Sequence, residues 1–150
     1  MLRKTRRKMS TIERAIAIAA EAHTGQFDKA GAPYIFHVLR VMLAVETLDE
    51  RMAAVLHDVV EDTSWTLDRL SGEGFSDEVV QAIDSVTRRT GETYEGFVAR
   101  AGKNPLGRRV KLADLADLAD NSDLRRIAAP TAEDYARIER YRLAMEKLAA

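Results

Sequence analysis

The stretch Leu56-His57-Asp58-Val59-Val60-Glu61-Asp62-Thr63 sets one imidazole and three carboxylates within six residues. On a helix, which turns about 100° per residue, His57, Asp58, Glu61 and Asp62 fall within an arc of about 140°. Val55, Leu56, Val59 and Val60 cover much of the remaining surface. A helix with so broad an apolar surface is buried, and buried carboxylates need partners. A divalent cation satisfies several of them at once. The competing reading is an exposed acidic helix end, which a lone His-Asp pair would favour and four such residues on one face do not.

His37 is the second element, set among large apolar residues in Pro33-Tyr34-Ile35-Phe36-His37-Val38. A lone histidine in such surroundings is more often a core residue bonded to a carbonyl. It gains weight here because the next helix carries the His-Asp pair. His23, earlier still, is read as structural. The third element is Val110-Lys111-Leu112-Ala113-Asp114-Leu115-Ala116-Asp117-Leu118-Ala119-Asp120-Asn121. Asp114, Asp117 and Asn121 fall within about 60° of one another on a helix. Leu112, Leu115, Ala116 and Ala119 occupy the other side, which argues against a merely solvated acidic stripe. Two histidines and two aspartates from three helices make a mixed nitrogen and oxygen donor set. That set suits Mn²⁺, Fe²⁺ or Zn²⁺ better than Ca²⁺ or Mg²⁺. Such an ion lowers the pKa of a bound water and orients it for attack at phosphorus.

The elements that must position these residues are helical throughout. Ser10 with Glu13 reads as a capping box opening a helix whose stripe is Ile12, Ile16, Ala19 and His23. Thr24 to Pro33, with two glycines, reads as a loop. Pro33 opens a helix through about Glu46, and Asp49 caps a third running through Asp62. Thr66 caps a short helical turn broken at Gly72 and Gly74. Ser76 caps a helix to about Arg88, and Thr93 to Ala101 is helical. Asn104-Pro105 opens a helix to about Asn121. Thr131 caps the last helix, with Ile138, Tyr141, Met145 and Leu148 as its stripe. No strand pattern, linker or long repeat interrupts this order. The expected fold is all-α, one compact bundle of about seven to nine helices.

The chain has 150 residues, 46% hydrophobic and 31% charged, the balance of a folded globular domain. With no cysteine, thiolate metal sites and disulfides are excluded, so any metal must be held by His, Asp or Glu. No apolar run has the length of a membrane span and no signal-peptide pattern follows the basic start, so a cytoplasmic protein is expected. Five of the first eight residues are basic: Arg3, Lys4, Arg6, Arg7 and Lys8. Residues 1–9 are read as a solvated, poorly ordered arm, and residues 10–150 as the domain. Nothing else in the chain looks like a base-reading element, so nucleic acid is not the expected partner. A homo-oligomer is allowed by the sequence but not specified by it.

Four stretches together resemble the HD phosphohydrolase superfamily, whose ligands run His…His-Asp…Asp, and within it the Rel/SpoT hydrolase branch with its stand-alone small alarmone hydrolases. They are Ala22-His23-Thr24-Gly25-Gln26 with Lys29 and Gly31, then Pro33-Tyr34-Ile35-Phe36-His37, Leu56 to Thr63, and Val110-Lys111-Leu112-Ala113-Asp114. The resemblance implies an HD-type helical bundle that hydrolyses the 3′-pyrophosphate of a guanosine nucleotide such as ppGpp, with Mn²⁺ as the usual ion. It implies metal ligands at His37, His57 and Asp58, and water activation and proton handling at Glu61 and Asp62. Lys29, Asn121 and Tyr141 match substrate-contacting positions. The last ligand is divided: Lys111 points to Asp114, whereas Asn121 points to Asp117, and Asp117 is the preferred assignment with Asp114 its rival. Asp28 stands where relatives carry a base-stacking arginine, so weak guanine preference is expected. The alternatives are an HD hydrolase acting on an adenosine alarmone or another phosphorylated nucleotide, and a non-catalytic nucleotide-binding module.

Overall fold

The computed structural model describes residues 9–120 and 127–150. Nine helices and no strand are found among the described residues: α1 (Ile12–Ala22), α2 (Ile35–Ala44), α3 (Leu48–Leu56), α4 (Val59–Asp62), α5 (Leu67–Gly72), α6 (Asp77–Ser85), α7 (Tyr94–Gly102), α8 (Pro105–Asp120) and α9 (Ala132–Ala149). The all-α expectation holds. Residues 1–8 of the basic arm, and Asn121, lie outside the described residues.

Side-chain caps set most of the helix starts. Thr66, Ser76 and Thr93 each accept a hydrogen bond from the amide three residues on, which satisfies one of the unpaired amides of a first turn. Asn104 Oδ1 does the same for the Gly107 amide at 2.9 Å. Thr131 and Asp134 form a reciprocal capping box. Three starts differ from expectation, the first being α2, which begins at Ile35 and not at Pro33, whose backbone is bridged to Phe27. Thr11, not Ser10, caps α1: its backbone is still extended and its hydroxyl accepts from Arg14 N at 3.1 Å. Thr47, not Asp49, caps α3, in a capping box with Glu50.

A further difference shapes the site. The helix expected to run to Asp62 breaks at His57 and Asp58, dividing α3 from α4. His57 Nδ1 donates to the Ala54 carbonyl at 2.6 Å, and the backbone drifts to φ −100°, ψ −4° at Asp58.

α3 is the central helix, packed by α1, α2, α6 and α8. It therefore buries four consecutive residues, Ala53 to Leu56, instead of a stripe. The main core gathers Ile18, Val38, Val41, Leu56, Leu70, Val79, Ile83 and Val110 among others. A second cluster, Phe97, Val98, Leu115, Ala144 and Leu148, joins α7, α8 and α9. α8 belongs to both, with Val110 in the first and Leu115 in the second. Asp114 and Asp117 are buried on the same helix, so their carboxylates must be paired inside the protein. Arg100 ties down the loop after α6, donating to the carbonyls of Asp84 (2.8 Å) and Thr87 (2.6 Å) and to Glu92 (2.8 and 3.0 Å).

Candidate metal centre and its pocket

α2 delivers His37, the α3–α4 break delivers His57 and Asp58, and α8 delivers Asp114. One donor atom from each of these four residues lies within 4.8 Å of all the others. Neighbouring side chains on an unbroken helix diverge by about 100°. At the break the two side chains nonetheless converge, and His57 Nε2 lies 3.0 Å from Asp58 Oδ2. Asp114 Oδ1 lies 2.9 Å from His37 Nε2 and 3.2 Å from His57 Nε2. His37 Nε2 and Asp58 Oδ2 are 4.0 Å apart. A first-row cation with bonds of about 2.0–2.2 Å holds its ligands roughly 3–4 Å apart, so this donor set fits a divalent cation.

The outer nitrogens of both rings are engaged. His57 Nδ1 donates to the Ala54 carbonyl, and His37 Nδ1 pairs with Asp117 Oδ2 at 2.6 Å. Arg40 grips Asp117 in turn, Nε at 2.7 Å and a terminal nitrogen at 3.1 Å. A carboxylate or carbonyl on the far nitrogen fixes a ligating imidazole's tautomer and leaves its other nitrogen facing the metal. Asp117, preferred in the sequence as a ligand, thus stands behind His37 and outside the four-atom group, while Asp114 is inside it.

Electrostatics in the site follow from burial and close pairing. Burial works against a charged His37, but the carboxylates of Asp114 and Asp117 outweigh it and raise its pKa to about 9. Burial likewise opposes ionisation of Asp114, and the charges of Lys111 and His57 overcome it, holding its pKa well below the usual range. Lys111 Nζ sits 3.1 Å from Asp114 Oδ2 and 4.7 Å over the Phe97 ring. Asp62 behaves oppositely: burial first, then the charges of Asp58 and Glu61, push it up to about 6. A carboxyl so placed exchanges protons near neutral pH.

Two of the four donor residues, Asp58 and Asp114, open onto a cavity of about 400 Å³. Asp58, Glu61, Asp62, Asp114, Lys29 and Tyr141, all singled out in the sequence, line it. Glu61 is fixed by the Arg88 amide, which donates to Oε1 at 2.9 Å. His23 is buried beside the site, its Nδ1 2.8 Å from Gln26 Oε1 and its ring edge-on to Tyr34. Four further residues were not picked out in the sequence. Tyr34 donates its hydroxyl to Asp58 Oδ2, and Arg40 clamps Asp117. Arg88 and Phe27 line the cavity. Tyr34 and Arg40 sit three residues either side of His37, a helical spacing that could have revealed Arg40. Nothing in the sequence marks Arg88, which reaches the pocket through tertiary packing.

A helical domain with His, His-Asp and Asp donors converging from three places in the chain defines the class. The HD domain family model matches residues 15–145. The chain belongs to that family. Over 119 residues it is 37% identical to a probable GTP pyrophosphokinase of Mycobacterium leprae, covering 71% of this chain and 15% of that protein. It is 34% identical over 122 residues to a guanosine-3′,5′-bis(diphosphate) 3′-pyrophosphohydrolase of Aquifex aeolicus, covering 73% and 17%. A Haemophilus influenzae protein of the same name is 35% identical over 152 residues, covering 87% and 22%. The chain thus spans less than a quarter of each of these relatives. Among solved structures, one described as a metazoan ortholog of SpoT that hydrolyses ppGpp superposes with a TM-score of 0.70 at 24% identity, covering 94% of this chain and 86% of that one. No described helix is long and apolar enough to cross a membrane.

Proposed function

We propose that this chain is a divalent-metal-dependent phosphohydrolase that removes the 3′-pyrophosphate of a ppGpp-like guanosine nucleotide, with Mn²⁺ as the favoured ion. The observation that carries this reading is the four-donor group of His37, His57, Asp58 and Asp114, whose two aspartates face a cavity flanked by further acids and bases. The relatives named as 3′-pyrophosphohydrolases supply the substrate class. A cation held by those four residues would acidify a water and offset phosphoryl charge. Asp114 is the fourth ligand in this proposal, and Asp117 positions His37.

The chain's own groups do the rest. Lys29 and Arg88 stand on the cavity wall as cations for the phosphates, and Lys111 balances Asp114 on its side away from the histidines. Glu61, aimed by the Arg88 amide, accepts the proton of the attacking water. Asp62, beside Glu61 on the cavity wall, returns a proton to the leaving 3′ oxygen. Tyr141 on α9 closes the wall against the nucleoside. The test is a screen of Mn²⁺-loaded protein against phosphorylated nucleotides, scoring pyrophosphate and orthophosphate release. Pyrophosphate from ppGpp is the expected product. Orthophosphate alone, or no turnover of any guanosine or adenosine alarmone, would refute the assignment.

A further inference from the structure

The loop between α1 and α2 presents an aromatic ring at the mouth of the cavity. Phe27 is 65% exposed and lines the same cavity as Asp58 and Asp114. Its backbone is held on both sides. Phe27 bridges Pro33 in antiparallel fashion, Asp28 N donates to the Ala32 carbonyl at 2.8 Å, and Tyr34 N donates to the Gln26 carbonyl at 2.9 Å. Asp28 Oδ1 accepts the amides of both Ala30 and Ala32 at 2.9 Å, so this carboxylate works inside the turn. Gly25 and Gly31, at φ +80° and +87°, allow the chain to reverse so tightly. The result is a hydrogen-bonded hairpin that exposes the phenyl ring to water on the wall of the cavity. Lys29 follows it on the same wall.

We infer that Phe27 is the platform on which the substrate's purine stacks, a specificity role resting on the nucleotide reading above. A phenyl face has no hydrogen-bonding groups and accepts any base through its π surface. The platform therefore favours purine over no base, and discriminates weakly between guanine and adenine. The pre-formed loop adds to affinity because little is ordered on binding.

The experiment measures binding of GMP, AMP and base-free ribose 5-phosphate to Mn²⁺-loaded wild type, Phe27→Ala, Phe27→Leu and Phe27→Tyr by calorimetry. Because the ring is largely exposed, none of these changes opens the core. Phe27→Ala is expected to weaken GMP and AMP alike by on the order of tenfold, the scale of one base–aromatic stack. Ribose 5-phosphate should bind it as it binds wild type. Phe27→Leu should show most of that loss, while Phe27→Tyr stays within about twofold of wild type, since it keeps the π face. GMP affinity unchanged in Phe27→Ala, or an equal loss for ribose 5-phosphate, would overturn the platform without touching the hydrolytic reading. Conversely, a wild type that binds purine nucleotides through Phe27 yet hydrolyses none retains the platform and loses the hydrolase.

Discussion

With Asp114 on one nitrogen and Asp117 on the other, His37 carries in the metal-free protein a proton that a cation would replace. The two aspartates should therefore differ on substitution. Asp114→Asn, like His57→Ala, is expected to abolish stoichiometric metal by elemental analysis. Asp117→Asn should keep the metal but bind it about 10- to 100-fold more weakly, the usual effect of losing an imidazole's outer partner. Equal loss in both would return Asp117 to the ligand set. Glu61→Gln should retain full occupancy and lower kcat by on the order of a hundredfold, the range of a lost general base; activity within twofold of wild type would remove Glu61 from the chemistry. The protons also leave a mark on stability. His37 binds its proton more tightly when folded, its pKa rising from 6.5 to about 9. Its contribution is complete below 6.5 and vanishes as pH climbs through about 9. Asp117, lowered by the His37 and Arg40 hydrogen bonds against burial from 3.8 to about 2, contributes above 3.8 and is lost as pH falls through 2. Thermal melts in chelator should thus decline from pH 6.5 to 9, and the decline should shrink in His37→Gln.

The elements were legible where local chemistry decides them and obscure where packing does. Thr66, Ser76, Thr93, Asn104 and Thr131 announced their helices because a side-chain oxygen three residues before an unpaired amide is a local matter. The break at His57-Asp58 was not announced, since nothing in Leu56-His57-Asp58-Val59 disfavours a helix. It arises where the buried His57 ring binds the Ala54 carbonyl. For the same reason the preference for Asp117 over Asp114 had no packing information behind it: both lie on the inner side of α8, and only the position of α2 brings each to a different nitrogen of His37. Phe27 was passed over because a loop residue's exposure depends on how the hairpin closes. One contact between elements is tight enough to test. A Cβ on Gly107 would lie 1.9 Å from Ser85 Oγ, so α6 and α8 cross in touch at that glycine. Gly107→Ala should destabilise the fold by about 1–3 kcal/mol, read from urea midpoints. Adding Ser85→Ala should recover part of that loss, because the Ser85 Cβ stays 3.1 Å away. Simple additivity of the two changes would mean the clash is relieved elsewhere.

At the scale of the whole molecule, α8 is the member shared by both apolar clusters, and it carries one donor of the four. The other three come from α2 and the end of α3, neighbours in sequence, whereas Asp114 lies 77 residues beyond His37. A metal bound at this site would act as a clasp between the early half of the domain and α8. Removing it should raise amide hydrogen exchange along α8 and α9 well before α1 and α3, whose core is apolar and needs no ion. Uniform acceleration across all helices would contradict this. The broken helix then has a consequence for order of assembly. His37, His57 and Asp58 all precede Asp114 by 56 residues or more, so a cation held here would join parts of the chain that are made far apart. A cation would be held by all four donors only once α8 has docked, so tight metal binding would report the closure of the whole domain rather than of the site alone.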